Sequence, residues 1–396
     1  MSLSRRTFLH RAAFDAFPAF STAFVTGRGR EAFEAEGASR LEVSATTQSA
    51  DYIWIHSNEN PLGPGPRAIA ALTGSIQYAG RYPMNARPAI ADLRAAIAAR
   101  FGVKPQNVVL GAGSGEILRN AVRAFTSPAR PLVTAAPSFE APERMARQIG
   151  TPVKAVPVDG SGRLDIEGMA AAARGAGLVF FCNPNNPTAT VHGAKVVSAL
   201  VARVRRESPD TAILVDEAYH DYVTDPGYAT AAPLALEHAK VFITRTFSKA
   251  YGMAGLRSGY AIGQLKTIEA LAAYAMPYNQ NALVLAAAVA ALGDTERLAA
   301  ERARNTEVRA FTTRFFESAG CKPTRSEGNF VFADLGRPAK AFREACGQQK
   351  VMIGREFPPL AATHVRISLG TMEEMQRAAA VFRKALAASS SSAPRG

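Results

Sequence analysis

The chain has 396 residues, enough to bury a large core and to divide into more than one domain. It is globular in composition and has no run of 18 apolar residues, which argues against a membrane-spanning helix. Its formal charge is +13, but the basic residues are dispersed; the densest group, Arg203, Arg205 and Arg206, is followed by Glu207 and has no interleaved aromatics. That is the pattern of a solvated helix face and not of a nucleic-acid surface.

At the N-terminus, Ser4-Arg5-Arg6-Thr7-Phe8-Leu9 resembles a twin-arginine export signal, which a receptor reads and which is not an anchor. The apolar stretch from Ala12 to Val25 is interrupted by Asp15 and Pro18 and lacks a clear small-x-small cleavage site. An amphipathic arm is the plainer reading. The expected location is periplasmic by that route, and cytoplasmic otherwise. Residues 1–45 are set aside as a signal or disordered segment.

From Asp51 short strand-like runs alternate with helical ones. Strands are expected at Val108–Leu110, Pro131–Thr134, Leu178–Cys182, Ala212–Val215, Val241–Thr244 and Gly259–Ile262, with helices such as Glu116–Phe125, Glu143–Gln148 and Lys195–Arg206 between them. Such alternation argues for an α/β domain with a mostly parallel sheet, whose ligands bind at the carboxyl ends of the strands. An alanine-rich helical stretch, Ala282–Glu317, breaks at Gly293-Asp294. Asn329–Asp334 and Val365–Leu369 read as strands of a smaller α+β unit, and Met372–Leu386 as a closing helix before a disordered tail. Three cysteines, Cys182, Cys321 and Cys346, form neither a disulfide framework nor a zinc set; Cys182 reads as a packed thiol.

Five segments carry chemistry. Gly111-Ala112-Gly113-Ser114-Gly115-Glu116 lies between a strand and a helix, where glycines permit a tight turn and free N–H groups face an anion; a purely topological turn is the alternative. It is not a dinucleotide fingerprint. Asn183-Pro184-Asn185-Asn186-Pro187-Thr188 fixes a loop that can aim the Asn186 amide over the sheet, or serve as turn chemistry alone. In Asp216-Glu217-Ala218-Tyr219 a carboxylate ends an apolar strand, fit to pair with a protonated pyridine nitrogen; metal ligation by Asp216, Glu217, His220 and Asp221 is the rival, without a histidine pair at ligand spacing. Thr246-Phe247-Ser248-Lys249 with Arg257 sets a lysine at a strand's carboxyl edge near another cation. There a lowered pKa suits attack on the aldehyde of pyridoxal phosphate, against the plain reading of a surface lysine. Finally, Arg366 stands in the apolar run Val365–Leu369 and needs an anion, from a substrate or from an internal salt bridge, with Arg355 as a possible second cation.

Together with Asn58-Glu59-Asn60-Pro61, Arg81-Tyr82-Pro83 and Pro277-Tyr278-Asn279, these segments resemble the class I/II aminotransferases of fold type I, and within them the histidinol-phosphate aminotransferase branch. The resemblance spans about residues 51–386. It implies a seven-stranded, mostly parallel sheet in a large pyridoxal-phosphate domain (76–290), an N-terminal arm (51–75) joining a smaller α+β domain (291–386), and a tail at 387–396. It also implies a homodimer acting on an amino donor and a 2-oxo acid acceptor. Lys249 would bind the cofactor covalently and shuttle a proton. Asp216 would hold the ring nitrogen, with Asn186 and Tyr219 on the phenolic oxygen. Ser114, Gly115, Thr246, Ser248 and Arg257 would hold the phosphate, with Glu116 in the same loop, and Phe139 would stack on the ring. Tyr82 would reach the neighbouring subunit's phosphate. Arg366, helped by Arg355 and Asn60, would take the substrate.

Two positions depart from the family pattern. Ala189 follows Thr188 where glycine is usual, which leaves the loop's course open, and Phe139 replaces a tyrosine. Other outcomes on the same cofactor are a decarboxylase of an O-phospho amino acid or a β-lyase; a non-catalytic cofactor-binding module is a third reading.

Overall fold

The computed structural model describes residues 52–85, 88 and 90–391. The twin-arginine motif lies outside the described residues. Among the described residues twelve strands occur in chain order: β1 (Ile53–Ile55), β2 (Val108–Gly111), β3 (Leu132–Ala136), β4 (Val153–Pro157), β5 (Leu178–Cys182) and β6 (Ala212–Asp216). They continue with β7 (Val241–Thr246), β8 (Gly259–Gly263), β9 (Lys322–Pro323), β10 (Phe330–Asp334), β11 (Val351–Ile353) and β12 (His364–Ser368).

Seven of them form one sheet in the order β2-β8-β7-β6-β5-β3-β4. The five from β7 to β4 run parallel, and β8 is antiparallel to both of its neighbours. Strands β5, β6 and β7 are buried along their whole length because helices cover both faces. The two-residue period of a strand sorts their side chains between two cores: Val179, Phe181, Ile213 and Val215 enter one, and Leu178, Phe180, Ala212 and Leu214 enter the other. The register sets Cys182 beside Asp216 and Asp216 beside Thr244, so one carboxyl edge gathers the polar ends of these strands.

A second sheet, β12-β10-β9, is antiparallel and packs its own core with the helices Thr295–Ser318, Ala339–Gln348 and Met372–Ser391. Strand β1 pairs in parallel with β11, Ile53 opposite Val351, which ties the start of the described chain to this region.

Strand β4 is not among the strands expected from the sequence, because its five residues are only half-buried or exposed and so show no apolar run. Pairs as short as β1 and β11 also escape a reading by apolar runs. The closing helix does not stop at Leu386 but continues to Ser391, into the segment expected to be a tail. Ala189, where the family has glycine, is fully buried with φ +58°, so the loop keeps a left-handed backbone despite its methyl group.

Glu217 and Arg245 form a buried ion pair behind the carboxyl edge. Arg245 Nε donates to Glu217 Oε2 at 2.9 Å, and the same carboxylate accepts from the Thr230 hydroxyl and the Ala231 N–H. Removing one partner of such a pair strands the other charge. Glu217→Ala should therefore cost about 3–5 kcal/mol, read as a lowered urea midpoint.

Candidate active site

The carboxyl edge of the large sheet, the turn Ser57–Glu59 and strand β12 enclose a cavity of about 500 Å³. One end of it is built for an anion. The helix Ser114–Phe125 begins after Gly113, which brings no capping side chain, so the first N–H groups stay available to a ligand. Gly113 has φ +75°, and a Cβ there would lie 2.3 Å from the Arg257 guanidinium. Only glycine lets that cation lie against the helix start. The hydroxyls of Thr246 and Ser248 hydrogen-bond each other at 2.9 Å on the same wall, and Arg257 reaches Ser248 Oγ and the Ala254 carbonyl. A helix start, hydroxyls and an arginine without an acidic partner among the described residues make the donor set of a phosphate cradle.

Next along the cavity comes Lys249. Its Nζ donates to the Asn58 carbonyl at 2.9 Å and to the Ser57 carbonyl at 3.3 Å. Burial, followed by the Arg366 and Arg257 charges, pulls its pKa down to about 8, against the opposing pull of Glu59 and Asp216. Asp216, at the end of β6, is buried, and its Oδ1 accepts from the Thr244 hydroxyl at 2.8 Å. Burial raises its pKa to about 6, and the neighbouring Glu217 adds to this, while the Thr244 and Ala218 hydrogen bonds and Lys249 oppose it. A carboxylate so short of counter-charge is suited to a protonated nitrogen.

Tyr219 is buried, and its hydroxyl oxygen accepts from Asn58 Nδ2 at 3.1 Å, which leaves its own proton free to donate. Burial raises its pKa. Asn186 accepts from Arg366 Nη1 through Oδ1 at 2.7 Å, so its amide nitrogen remains a donor toward the cavity. Phe139 stands on the wall.

Arg366, in the middle of β12, is 7% exposed and makes no ion pair among the described residues. It donates to Asn186 Oδ1 and, at 2.6 Å, to the His56 carbonyl; its Nε has no partner. Burial lowers its pKa to about 10, with Arg355 pulling the same way and Tyr219 and Glu140 opposing. The internal salt bridge allowed for in the sequence is not formed. Arg355 does form one, to Glu140 at 2.5 Å, and lies over the Phe357 ring.

Twelve of the fifteen residues singled out from the sequence line this cavity, and three do not. The Glu116 carboxylate is occupied by the Ala112 and Met276 N–H groups and by Asn279 Nδ2, so it braces the glycine loop from behind. Asn60 is spent on the Ala250 carbonyl and the Leu62 N–H. Tyr82 is 65% exposed and stacks near Tyr278 at 4.8 Å. Of the rival metal reading's ligands, the Glu217 carboxylate is engaged by Arg245, Thr230 and Ala231.

Four further polar wall residues are not among those fifteen: Ser57, Asn58, Glu59 and Glu140. Asn58 matters most among them. With φ +53° it turns its carbonyl to Lys249 and Asn329, its side-chain nitrogen to Tyr219 and its Oδ1 to Ser368. Its one signal in the sequence is its place in the Asn-Glu-Asn-Pro run, where Asn60 and not Asn58 is the expected ligand.

The donor set fits pyridoxal phosphate: an anion cradle, an amine of lowered pKa, a buried carboxylate and two donors for a phenolic oxygen share one cavity. Known proteins agree. The profile of the aminotransferase class I and II family matches residues 50–382. The histidinol-phosphate aminotransferase of Symbiobacterium thermophilum is 36% identical over 337 residues, 85% of this chain and 91% of that protein. That of Moorella thermoacetica is 36% identical over 350 residues, 87% of this chain and 88% of that protein. The crystal structure of histidinol-phosphate aminotransferase from Sinorhizobium meliloti in complex with pyridoxal-5'-phosphate superposes with a TM-score of 0.78 at 26% identity, covering 94% of this chain and 99% of that one. The chain belongs to the class I and II aminotransferase family, fold type I, and is a pyridoxal-phosphate-dependent aminotransferase.

Proposed function

We propose that this aminotransferase moves an amino group between a donor carrying an acidic group, an amino acid or an amino-alcohol phosphate, and a 2-oxo acid, with that acidic group held by Arg366. One observation carries the reading: a buried arginine with no acidic partner among the described residues shares the cavity of Lys249. The histidinol-phosphate aminotransferases to which the chain is similar support a donor of that kind. Those relatives are named aminotransferases, so decarboxylase, β-lyase and non-catalytic readings are not favoured.

When bound, pyridoxal phosphate supplies an aldehyde that bonds to amines and a ring that draws electrons from the reacting carbon. Lys249 Nζ, unprotonated in a useful fraction near neutral pH, would be the group that holds the cofactor and would carry the donor's α-proton. Asp216 would keep the ring nitrogen protonated. Asn186 Nδ2 and the Tyr219 hydroxyl would donate to the phenolic oxygen, and Phe139 would stack against the ring. Ser114, Gly115, Thr246, Ser248 and Arg257 would hold the phosphate. Arg366 orients the substrate through its planar fork, itself aimed by Asn186 and the His56 carbonyl.

The working unit in this reading is a homodimer. Ile76, Tyr82, Met84, Met276 and Tyr278 are each more than half exposed, an apolar set that a second copy would cover, with Tyr82 completing the partner's phosphate site. The pairing of β1 with β11 supports an arm (51–75) that joins a small domain (291–386) beside a large one (76–290). Export through the twin-arginine route rests on Arg5 and Arg6, and a reporter fused after the leader would test it. Among the described residues no helix is long and apolar enough to cross a membrane.

Mixed with 2-oxoglutarate and a panel of amino donors, the chain should form glutamate in step with the keto product. Carbon dioxide or ammonia in its place would overturn the assignment. Arg366→Ala should raise the donor KM roughly 10- to 100-fold, the loss expected of hydrogen bonds to a charged group, with cofactor still bound. Borohydride should fix the vitamin to residue 249. Because the amine titrates near 8, capture by cofactor-free protein should slow about tenfold for each pH unit below that value, and Lys249→Ala should capture none. Sedimentation equilibrium should return twice the 42.0 kDa chain mass, and Tyr278→Glu should halve it.

A further inference from the structure

The cavity that holds Lys249 and a second one of about 570 Å³ have two wall residues in common, Glu140 and Arg355. These two make the 2.5 Å ion pair, so the pair stands between the cavities. The Arg355 guanidinium lies 4.4 Å from the centre of the Phe357 ring and that of Arg366 lies 4.7 Å from the same centre, so two cations flank one aromatic ring at the substrate end. They differ in their counter-charge. Among the described residues Arg366 has no acidic partner, whereas Arg355 has Glu140.

We propose that Glu140 is a specificity-determining residue: it occupies Arg355, so that the site favours substrates with one anionic group over those with two. The inference rests on Arg366 as the primary anion site. A monocarboxylate takes Arg366 and leaves the Glu140–Arg355 pair intact. The distal carboxylate or phosphate of a doubly anionic substrate has to displace Glu140 from Arg355 and then lie beside the displaced carboxylate. The exchange is feasible because the Arg355 and Glu140 side chains are 51% and 39% exposed, and exposed pairs are weakly bound. A neutral side chain meets no such competition and finds room beyond the pair in the second cavity, where Pro137 and Phe357 offer apolar contact. Glu140 thus acts as a built-in competitor for the second anion.

The test compares 2-oxoglutarate with pyruvate as acceptors for the holoenzyme, and succinate with propionate as unreactive ligands by calorimetry. Glu140→Gln should raise the 2-oxoglutarate to pyruvate ratio of kcat/KM, and the matching ratio of binding constants, by roughly fivefold, the size an exposed ion pair supports. Arg355→Gln should push both ratios below wild type. Adding Glu140→Gln to Arg355→Gln should then raise them by less than Glu140→Gln does alone, since the competition for Arg355 is gone and only the repulsion between carboxylates is relieved. If Glu140→Gln leaves the ratios unmoved, or improves both ligands equally, the inference fails while the aminotransferase reading stands. If Arg366→Ala leaves propionate binding intact, the primary anion site is wrong, and this inference falls together with the substrate role proposed for Arg366.

Discussion

The hydrogen bond from Arg366 to Asn186 is the contact on which the site's arrangement depends. It joins β12 of the antiparallel sheet to the loop after β5 of the parallel one. It fixes two orientations together: the arginine fork is held toward the cavity, and the asparagine amide is turned so that its nitrogen is the free donor. Neither residue could be replaced by an isostere of opposite polarity without misorienting the other. Asn58 repeats the pattern from the turn after β1, contacting Tyr219, Lys249, Asn329 and Ser368 at once.

The electrostatics stem from the same arrangement. Lys249, Arg257 and Arg366 face one cavity, and none is held by a permanent carboxylate among the described residues. Burial first penalises the charged form of the amine, the Arg366 and Arg257 charges add to that, and Lys249, the one group among them able to shed its proton easily, titrates near 8. In the proposed reading, the same enclosure that lowers the Lys249 pKa would offer anions a cation at either end. Asp216 balances the middle, with the Thr244 hydroxyl and the Ala218 N–H keeping its ionised form within reach.

Much of this is legible in the chain because parallel strands buried on both faces read as apolar runs, and the residues next after each run must lie at the carboxyl edge. Lys249, Asp216 and Asn186 stand out in that way. Glu116 misleads because a carboxylate in a helix's first turn next to an anion loop can face the ligand or brace the loop, and that choice is made by Asn279, far away in sequence. Asn60 and Asn58 share one motif, and a left-handed backbone at the earlier asparagine decides which of them reaches the cavity. Strand β4 is hidden because an edge strand needs no continuous apolar face. The Glu140–Arg355 pair joins residues more than two hundred positions apart and leaves no local trace.

The first described residues are structural as well as chemical. Ile53 and Ile55 are buried in the smaller core, and Asn58 touches the reactive amine three residues later. A peptidase maturing an exported form would have to cut ahead of Tyr52, because a cut only slightly further on would take away a strand and the lysine's main-chain acceptors together. The margin for trimming this N-terminus is thus set by catalysis and folding at the same point.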